Sequence, residues 1–389
     1  MSNAILTLNA GSSSLKFALF EIAGSGVRLA VKGEAEKLDA TPHFIAEDAD
    51  GESVADESWP GASFDMVIGK ILDWATSHLG RDQLLAVGHR MVHGGPDHAA
   101  PERVTPDLLK ALDALVPLAP LHLPHNIAPI RAIAALRPNL TQVVTYDTAF
   151  HRTMPDVATR IAIPRRYEQE GVRRYGFHGL SYEYIAGRLA QIAPALARGR
   201  TIVAHLGNGA SLCALSNGKS LDTTMGFSVL DGLVMGTRTG DIDPGVLLYL
   251  QERDGMSVQA LEHMLYNESG LKGVSGLSGD MRTLLASPAQ SAKDALALFI
   301  FRLVREIGAL TASLGGLDGL VFTAGIGEHA PQIRAMAVEK MGWLGAKLDA
   351  TANARNAETI CTGDSQLAML VIPTNEEEMI ARHTLSCIA

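Results

Sequence analysis

The feature that most constrains the fold is a hairpin pattern that occurs twice, about half a chain apart. Residues 5–17 and 201–215 both have the pattern of a strand, a turn of glycine and small polar residues, and a returning strand. Any β-hairpin needs such a turn, so each hairpin alone is a weak signal. The repetition nevertheless predicts an internal duplication of one α/β unit, with one phosphate-cradling hairpin in each half.

Apolar periodicity places the remaining elements. In the first half it predicts strands at 5–9, 15–20, 27–34, 84–89 and 142–146, and helices at 64–79, 106–116 and 126–136. In the second half it predicts strands at 201–206, 211–215, 319–323 and 367–372, and helices at 291–314, from 331, and at the C-terminus. The polar stretch 46–61 is predicted to be a surface loop.

Length and composition exclude several classes of protein. A chain of 389 residues suggests two or three domains, and its net charge of −9 argues against a general nucleic-acid binder. The three cysteines are far apart and form no CxxC pair, which is typical of a reducing compartment. Since no apolar run approaches the roughly 18 residues of a membrane span, we expect a soluble cytoplasmic protein without a membrane partner.

Both hairpin turns have two interpretations. Asn9 to Ser14, followed by Lys16, and Gly207 to Ser211 could each wrap anionic oxygen with backbone N–H groups and hydroxyls, or each could be an ordinary tight turn. The segment 218–220 resembles the end of a Walker A loop, but Cys213 stands where that motif requires glycine. A P-loop is therefore excluded.

Charged residues follow two predicted strands of the first half. Arg90 lies between His89 and His93 before a glycine pair, and an arginine in such a place favours an anionic partner. Asp147 follows strand 142–146, and ligand sites of α/β sheets collect at the carboxyl ends of strands. There it could hold Mg²⁺, orient a nucleophile or simply cap a helix. His89 and His93 are expected to be packed core histidines.

Two more histidines and an arginine stand in glycine-rich or proline-rich segments. His178 could donate a hydrogen bond to a phosphoryl oxygen or serve only in turn packing. His122 could line a small pocket or belong to a rigid connector. Arg238 lies in a Gly/Thr-rich loop near Asp241 and Asp243. These carboxylates are expected to hold it where it neutralises phosphoryl charge, and a salt-bridged surface loop is the alternative.

Three further segments have both a binding and a structural interpretation. Residues 278–282 either contact a nucleoside or cap the following helix. Residues 325–328 could clamp adenosine at a helix entry, but they lack the third glycine of a dinucleotide fingerprint. Asn375 and Glu378 are predicted to be the N-cap and N3 residues of the C-terminal helix, and a buried metal-facing glutamate in that segment is the alternative.

Taken in order, the motifs resemble those of the acetate kinase family. They are LTLNAGSSSLKF, GHRMVHGG, YDTAFH, YGFHG, HLGNGAS, GTRTGDIDP, FTAGIGE and IPTNEEEMIAR. The resemblance runs nearly end to end. It implies a duplicated ribonuclease-H-like (actin-like ATPase) α/β fold in two domains, 1–149 plus 376–389 and 150–375, with the nucleotide in the cleft between them.

The resemblance also implies a reaction and its components. The γ-phosphoryl group of ATP would pass reversibly to acetate, giving acetyl phosphate and ADP, with Mg²⁺ or Mn²⁺ as the metal. The substrates would be a small carboxylate and a nucleotide, and the protein would be a homodimer.

Roles follow from the resemblance residue by residue. Arg90 and Arg238 would bracket the carboxylate and the phosphoryl group, Asp147 and His178 would complete the catalytic set, and His122 and His205 would support it. Asn9 and Glu376 would hold the metal. Val92, Leu121 and Phe177 would line the methyl pocket. ATP would be bound by Lys16, His205, Leu206, Gly207, Asn208, Gly209, Asp280, Met281, Arg282, Gly325, Ile326 and Gly327.

The chain departs from the family pattern at several positions. Val229 stands where a substrate-lining proline is usual, which leaves the preference between acetate and propionate open. Leu180 and Tyr182 stand where Thr and His are usual after the YGFHG motif. Leu123 and His329 each replace an asparagine.

The chemistry itself favours this assignment over two alternatives. A carboxylate is ionised at neutral pH and needs no general base, so the reaction needs charge neutralisation and in-line placement. A sugar kinase would instead use an aspartate base, a role in which Asp147 could be misread. A switching protein of the actin or chaperone type would not need Arg90 and Arg238 as paired anion clamps.

Overall fold

The computed structural model describes residues 3–11 and 13–389. Contacts divide the chain into a first unit, Met1–Ala149 with Asn375–Ala389, and a second unit, Phe150–Thr374. The later boundary falls one residue before the one drawn from the sequence.

The strands, numbered in chain order, form two sheets. They are β1 (Asn3–Ala10), β2 (Ser14–Ala23), β3 (Gly26–Glu36), β4 (His43–Asp48), β5 (Ser53–Ser58), β6 (Gln83–Met91), β7 (Glu102–Arg103), β8 (Thr141–Tyr146), β9 (Arg200–Leu206), β10 (Ala210–Ser216), β11 (Lys219–Thr223), β12 (Gly319–Thr323) and β13 (Ala368–Val371).

The helices vary from one turn to 25 residues. They are α1 (Phe64–Leu79), α2 (Pro106–Ala114), α3 (Leu123–Leu136), α4 (Asp156–Thr159), α5 (Arg165–Gln169), α6 (Gly179–Ile192), α7 (Pro194–Arg198), α8 (Pro244–Asp254), α9 (Val258–His263), α10 (Gly270–Ser275), α11 (Met281–Ala286), α12 (Gln290–Leu314), α13 (Ala324–His329), α14 (Pro331–Glu339), α15 (Ala350–Ala354) and α16 (Glu376–Ile388). Short 3-10 turns lie at Val116–Leu118, Ala149–Thr153 and Gly342–Leu344, and Met264–Glu268 is π-helical.

The two sheets share one plan. In the first sheet the order β3-β2-β1-β6-β8 joins an antiparallel meander to two parallel strands, and β11-β10-β9-β12-β13 does the same in the second. The first sheet is extended by β4 and β5 at one edge and by β7 at the other. The predicted α/β class and the duplication are therefore confirmed.

Helices cover both faces of the first sheet because β1 alternates its apolar side chains. Leu6 and Leu8 pack into a core with α1 and α3, whereas Ile5 packs on the other face with Ala381 of α16. A Cβ at Gly88 of β6 would lie 2.2 Å from Thr384 Oγ1 of α16, so this close approach requires glycine. The core of the second unit combines side chains of α6, β9, β10, β12 and β13.

The expectation of a loop at 46–61 is wrong. β4 and β5 pair there as an antiparallel hairpin at the edge of the first sheet. Phe44 and Ala46 turn inward, and the Phe44 ring stacks on Trp59 at 4.7 Å. The other face meets solvent, and charged residues at an exposed edge give the segment its loop-like composition.

No helix in the described part of the chain is long and apolar enough to cross a membrane.

Candidate active site

In the first unit, three oxygen-bearing side chains converge on Arg90. The guanidinium donates through Nε to Asp147 Oδ1 at 3.0 Å and through Nη2 to Oδ2 at 2.6 Å. Its Nη1 lies 3.3 Å from Asn9 Oδ1 and 3.1 Å from Glu376 Oε2. Two carboxylates therefore meet one guanidinium, which leaves the cluster with a formal charge of −1.

Strand register brings these side chains together. β1 and β8 both run parallel to β6, with Leu8 beside His89 and Thr145 beside Arg90. The strand ends that carry Asn9, Arg90 and Asp147 therefore meet at one edge of the sheet. Glu376 joins them from the first turn of α16, where the Asn375 side chain accepts from the Glu378 N–H at 3.0 Å, as the capping interpretation predicts.

Burial makes the charges of this cluster interdependent. Burial of the Arg90 guanidinium disfavours its charge, but Asp147 and Glu376 outweigh this effect and raise its pKa. Burial also raises the pKa of the Glu376 carboxyl, and the positive charge of Arg90 opposes that rise. Asp147 is only 1% exposed, and its two carboxylate oxygens both accept from the Arg90 guanidinium.

The donor set of the cluster suits a hard cation that is shared with phosphate. In residues 3–11 and 13–389, no group of three or more His, Cys, Asp or Glu side chains could hold a metal ion. Asn9 and Glu376 nevertheless place an amide oxygen and a carboxylate oxygen within 3.3 Å of the same guanidinium nitrogen. Mg²⁺ commonly takes one or two carboxylates and completes its shell with waters and substrate phosphates, so these residues fit it.

The other predicted residues of the first unit lie around this cluster or at the surface. Lys16 is exposed on β2, directly opposite Asn9. Val92 is buried, whereas Leu121 is 41% exposed. His122 is the N-cap residue of α3, and its backbone N–H donates to Ala119 O at 3.0 Å.

One supporting side chain of this region was missed from the sequence. The amide of Asn126 accepts from the Val92 N–H and donates to Ala10 O, each at 3.0 Å. It thereby joins the segment after β6 to the turn after β1. In the sequence, Asn126 is a single asparagine in an apolar helix. No neighbouring motif indicates that its side chain contacts β1 or the segment after β6.

In the second unit, the β9–β10 turn is bordered by three side-chain nitrogens. A Cβ at Gly209 would lie 3.3 Å from Arg238 Nη1 and 3.6 Å from His178 Nε2. A Cβ at Gly207 would lie 3.9 Å from His205 Nε2. The backbone of Gly207 and Gly209, which has no side chain to block an approaching group, is therefore flanked by side-chain nitrogens. This arrangement suits a phosphate group.

His178 and His205 form a stacked pair whose Nδ1 atoms face hydroxyl groups. Their ring centroids lie 4.1 Å apart with 17° between the planes. Nδ1 of His178 lies 2.8 Å from Ser211 Oγ, and Nδ1 of His205 lies 2.8 Å from Ser181 Oγ. His178 adopts a left-handed backbone conformation (φ 57°) as the N-cap of α6, a strained geometry that is common at functional sites.

Arg238 has different partners from those expected. Asp241 accepts from Arg305 at 2.9 Å, and Asp243 caps α8 through the Gly245 N–H at 2.8 Å. Nη1 of Arg238 instead faces Val229 O at 3.3 Å and Met235 Sδ at 3.6 Å. In the described residues it has no carboxylate within salt-bridge distance, and burial lowers its pKa.

A cavity of about 310 Å³ lies beside the same turn. Seven predicted nucleotide contacts line it together with Gly279, His329 and Ala330; the seven are Gly207, Asn208, Asp280, Met281, Arg282, Gly325 and Ile326. The Asp280 side chain caps α11 through the Thr283 N–H at 3.0 Å, and pairing with Arg282 lowers its pKa to about 2. Of the other predicted nucleotide contacts, Leu206 ends β9, and Gly327 lies in α13.

Gly325 and Gly327 lie inside the short helix α13, which Glu328 and Arg334 hold in place. Glu328 Oε1 accepts from the N–H groups of Ala324 (2.8 Å) and Thr374 (3.1 Å). The fully buried Arg334 donates to the Gly327 carbonyl at 2.7 Å and the Glu328 carbonyl at 2.9 Å. These contacts are long-range or backbone-directed, so no local motif signals them.

The predicted acyl-pocket residues of the second unit are buried. Phe177 is 1% exposed and Val229 is 8% exposed. The carbonyl of Phe177 accepts from His151 Nε2 at 2.9 Å, and His151 Nδ1 lies 2.8 Å from Ser220 Oγ. His151 therefore supports the backbone that carries Phe177 and His178.

Three other histidines, His89, His93 and His151, are each only 0–1% exposed. Burial lowers the pKa of each to about 4, so all three are neutral at pH 7. His89 hydrogen-bonds Gln142 through Nε2 at 2.9 Å. Packing, rather than anion binding, accounts for these residues.

Comparisons with known proteins agree over the whole chain. A model described as the acetokinase family matches residues 4–382. The chain is 51% identical over 389 residues to an acetate kinase of Rhodopseudomonas palustris (strain TIE-1), covering 98% of both. It is similar to a propionate kinase structure from Francisella tularensis subsp. tularensis SCHU S4 (TM-score 0.91, 37% identity, 98% of both chains). It is also similar to the Porphyromonas gingivalis acetate kinase structure (TM-score 0.87, 35% identity, 100% of both chains).

The repeated sheet order and these similarities define a two-domain α/β protein of the actin-like ATPase type. Within that class, the chain belongs to the acetokinase family.

Proposed function

We propose that this chain is an acetate kinase, which transfers the γ-phosphoryl group of ATP to acetate and runs the reverse reaction. The observation that carries the proposal is Arg238, a largely buried cation with no carboxylate partner in the described residues, beside the Gly207–Gly209 turn. An uncompensated guanidinium is costly to bury and suits a site that receives anionic oxygen. Relatives named acetate kinase at 51% identity support the same activity.

The reaction needs charge neutralisation more than proton transfer. A carboxylate oxygen of acetate attacks the γ-phosphorus, the bond from that phosphorus to the ADP oxygen breaks, and ADP leaves with the electron pair. Because acetate is already ionised at neutral pH, no base is required. Arg238 neutralises charge on the equatorial phosphoryl oxygens, His178 donates a hydrogen bond to them, and His205 and His122 support these two residues.

Residues of the first unit supply the carboxylate-directed part of this chemistry. Arg90 binds the acetate carboxylate, and Asp147 fixes the plane of its guanidinium through the bidentate pair. Asn9 and Glu376 would hold Mg²⁺, or Mn²⁺ in its place. When bound, that ion offsets the negative charge of the nucleotide phosphates.

The second unit binds the nucleotide. Gly207, Asn208 and Gly209 contact the phosphates through backbone N–H groups. By the family resemblance, Lys16 is a further ATP-binding cation. The 310 Å³ cavity takes the nucleoside, between the Asp280–Arg282 segment and α13.

A second candidate, propionate kinase, is favoured by one residue. Val229 lies where the family usually has proline, and Phe177 and Val92 are the other buried members of the proposed acyl pocket. The Francisella propionate kinase structure is also similar at a TM-score of 0.91. Discrimination by one methylene amounts to only about 1–3 kcal/mol, so a single side chain can decide the preference.

The test is ADP release with Mg-ATP and a panel of acetate, propionate, butyrate, formate and glycerol, compared as kcat/KM. Acetate at the top supports the proposal, and propionate at the top supports the second candidate. Turnover of glycerol would instead indicate a sugar-kinase type of reaction. ATP binding without acid-dependent turnover would contradict both kinase assignments and favour a switching protein.

We further propose a cytoplasmic homodimer. In the described residues the three cysteines are free, which suits a reducing compartment. Helix α8 has no buried residue, yet it exposes Val246, Leu248 and Tyr249, apolar surface that a second copy of this chain would cover. Light scattering on the purified protein, and on the Leu248→Glu variant, measures the assembly directly.

A further inference from the structure

Tyr182 is a buried hydroxyl that the proposed reaction does not use. It lies in the first turn of α6, is 0% exposed and stands where the family usually has histidine. Its hydroxyl lies 2.5 Å from Ser211 Oγ, its single hydrogen-bond partner in the described residues. Burial raises the pKa of Tyr182 well above its usual range, so the hydroxyl keeps its proton at any working pH.

That proton gives the hydrogen-bond chain a direction. Because a buried hydroxyl proton without an acceptor is costly, Tyr182 donates to Ser211 Oγ. Ser211 then has one proton left, and its second partner is His178 Nδ1 at 2.8 Å. The Ser211 hydroxyl therefore donates to Nδ1, which must be the unprotonated nitrogen of the ring.

We propose that Tyr182 is a positioning residue that acts through Ser211 to hold His178 in the neutral tautomer with its proton on Nε2. Nε2 is the nitrogen that borders the Gly209 turn, 3.6 Å from where a Cβ would stand. In this tautomer His178 presents a donor, rather than a lone pair, to anionic oxygen. The proposal rests on the proposed function only for the identity of that anionic oxygen. The donor direction along the Tyr182–Ser211–His178 relay does not depend on it.

The neighbouring ring has a similar arrangement. Thr374 Oγ1 donates to Ser181 Oγ at 2.8 Å, and Ser181 Oγ lies 2.8 Å from His205 Nδ1. Both stacked imidazoles thus have a hydroxyl chain at Nδ1 and direct Nε2 toward the glycine turn. Two neutral rings stack at 4.1 Å without the repulsion that two imidazolium ions would have.

The charged and titratable groups around His178 also favour its neutral form. His205 stacks on it, Arg238 Nη1 borders the same Gly209 position as His178 Nε2, and Tyr182 ends the hydrogen-bond chain through Ser211. Arg238, as a nearby cation, disfavours protonation of His178. An imidazolium would also present Nδ1–H to Ser211, which would leave one hydroxyl proton without an acceptor.

The direct test is the protonation pattern of His178 in the intact protein. Long-range ¹H–¹⁵N spectra of ¹⁵N-histidine-labelled protein distinguish the two tautomers and the imidazolium, and the His178→Gln spectrum identifies the resonances. We expect the Nε2–H tautomer in the wild-type protein over about pH 6 to 8. An Nδ1–H tautomer or an imidazolium at neutral pH would overturn the proposal without any substitution in the relay.

The variant Tyr182→Phe tests the cause. It removes only the donor, so Ser211 becomes free to accept from Nδ1–H. We expect the Nδ1–H tautomer to become populated and the pKa of His178 to rise. Above that pKa, kcat should fall about three- to tenfold, the factor by which one neutral hydrogen bond shifts such an equilibrium, while KM values stay unchanged. At lower pH the imidazolium donates from Nε2 again, so the loss should shrink.

Two comparisons make this result specific. Tyr184→Phe, a matched change two residues along α6, should leave the tautomer and the pH profile unchanged. Ser211→Ala should release Nδ1 as Tyr182→Phe does. If Tyr182→Phe keeps the wild-type tautomer and pH profile, the proposal is wrong. Because the spectra require no turnover, they stand even if acetate proves not to be the substrate.

Discussion

Arg238 offers a perturbation in which catalysis and stability respond differently. In the described residues its guanidinium has no carboxylate partner and faces Val229 O and Met235 Sδ. The variant Arg238→Met fills similar volume with an uncharged side chain. We therefore expect the reaction to lose its main source of phosphoryl charge neutralisation, while the folded state loses little.

The magnitudes follow from those contacts. An arginine that stabilises transferring phosphoryl charge contributes about 10³-fold or more to kcat, which corresponds to about 4 kcal/mol at the transition state. Removing a largely buried guanidinium that lacks an ion-pair partner should leave the free energy of unfolding unchanged or raise it by up to about 2 kcal/mol. In a unit of this size that increase corresponds to about 2–4 °C in Tm per kcal/mol.

The assay pairs kcat for acetate phosphorylation with urea denaturation of the same preparation. Arg305→Met is the matched control, because its guanidinium is 43% exposed and pairs with Asp241 and Glu306. That control should keep wild-type kcat and lose at most about 1 kcal/mol of stability. The reasoning is refuted if folded Arg238→Met retains kcat within about tenfold of wild type, or if it loses several kcal/mol of stability.

Three other perturbations test separate parts of the account. Arg90→Met removes the guanidinium that pairs with the buried Asp147 and Glu376 carboxylates, so urea denaturation at pH 7 should show a loss of about 3–5 kcal/mol, and wild-type stability would contradict the cluster. Val229→Ala enlarges the proposed acyl pocket and should raise the propionate-to-acetate ratio of kcat/KM; an unchanged ratio removes Val229 from that pocket. The three buried histidines have pKa values of about 4 in the folded protein and about 6.5 when unfolded, so protons bind the unfolded state preferentially between those values. Stability in urea should therefore fall as pH drops from about 6.5 toward 4, less steeply in His89→Gln, and an identical slope in that variant would contradict its assignment.

The clustering of Arg90 and Asp147 was predictable from the sequence. Each follows an apolar strand, and carboxyl ends of parallel strands meet at one edge of a sheet. The observed register, with Thr145 beside Arg90, realises that expectation. The repeated hairpin likewise predicted the repeated sheet order, because the same local pattern recurs with the same succession of elements.

The partners of Arg238 were not predictable by the same reasoning. Asp241 and Asp243 are near in sequence, but long-range packing directs Asp241 to Arg305 of α12, and local backbone geometry directs Asp243 to a cap. Nearness in the sequence does not show which of several available partners each aspartate takes in the folded chain. The edge hairpin of β4 and β5 was missed because β4 buries only alternate residues and β5 buries none, so neither strand has the apolar run of a core strand.

Supporting residues were the least visible in the sequence. Ser211 matters because Tyr182, 29 residues earlier, donates to it, and Asn126 matters because it reaches Val92 from 34 residues away. Such contacts need the tertiary fold to bring two polar groups together. Motif reading therefore finds the charged residues more readily than the neutral ones that orient them.

The most direct test of the central claim is the detection of an acyl phosphate. Wild-type protein is incubated with Mg-ATP, acetate and hydroxylamine, and acetohydroxamate is measured beside ADP. The proposed function predicts hydroxamate and ADP in equal amounts, both abolished together in Arg238→Met. ADP formed without hydroxamate, or at the same rate without acetate, would contradict phosphoryl transfer to the carboxylate.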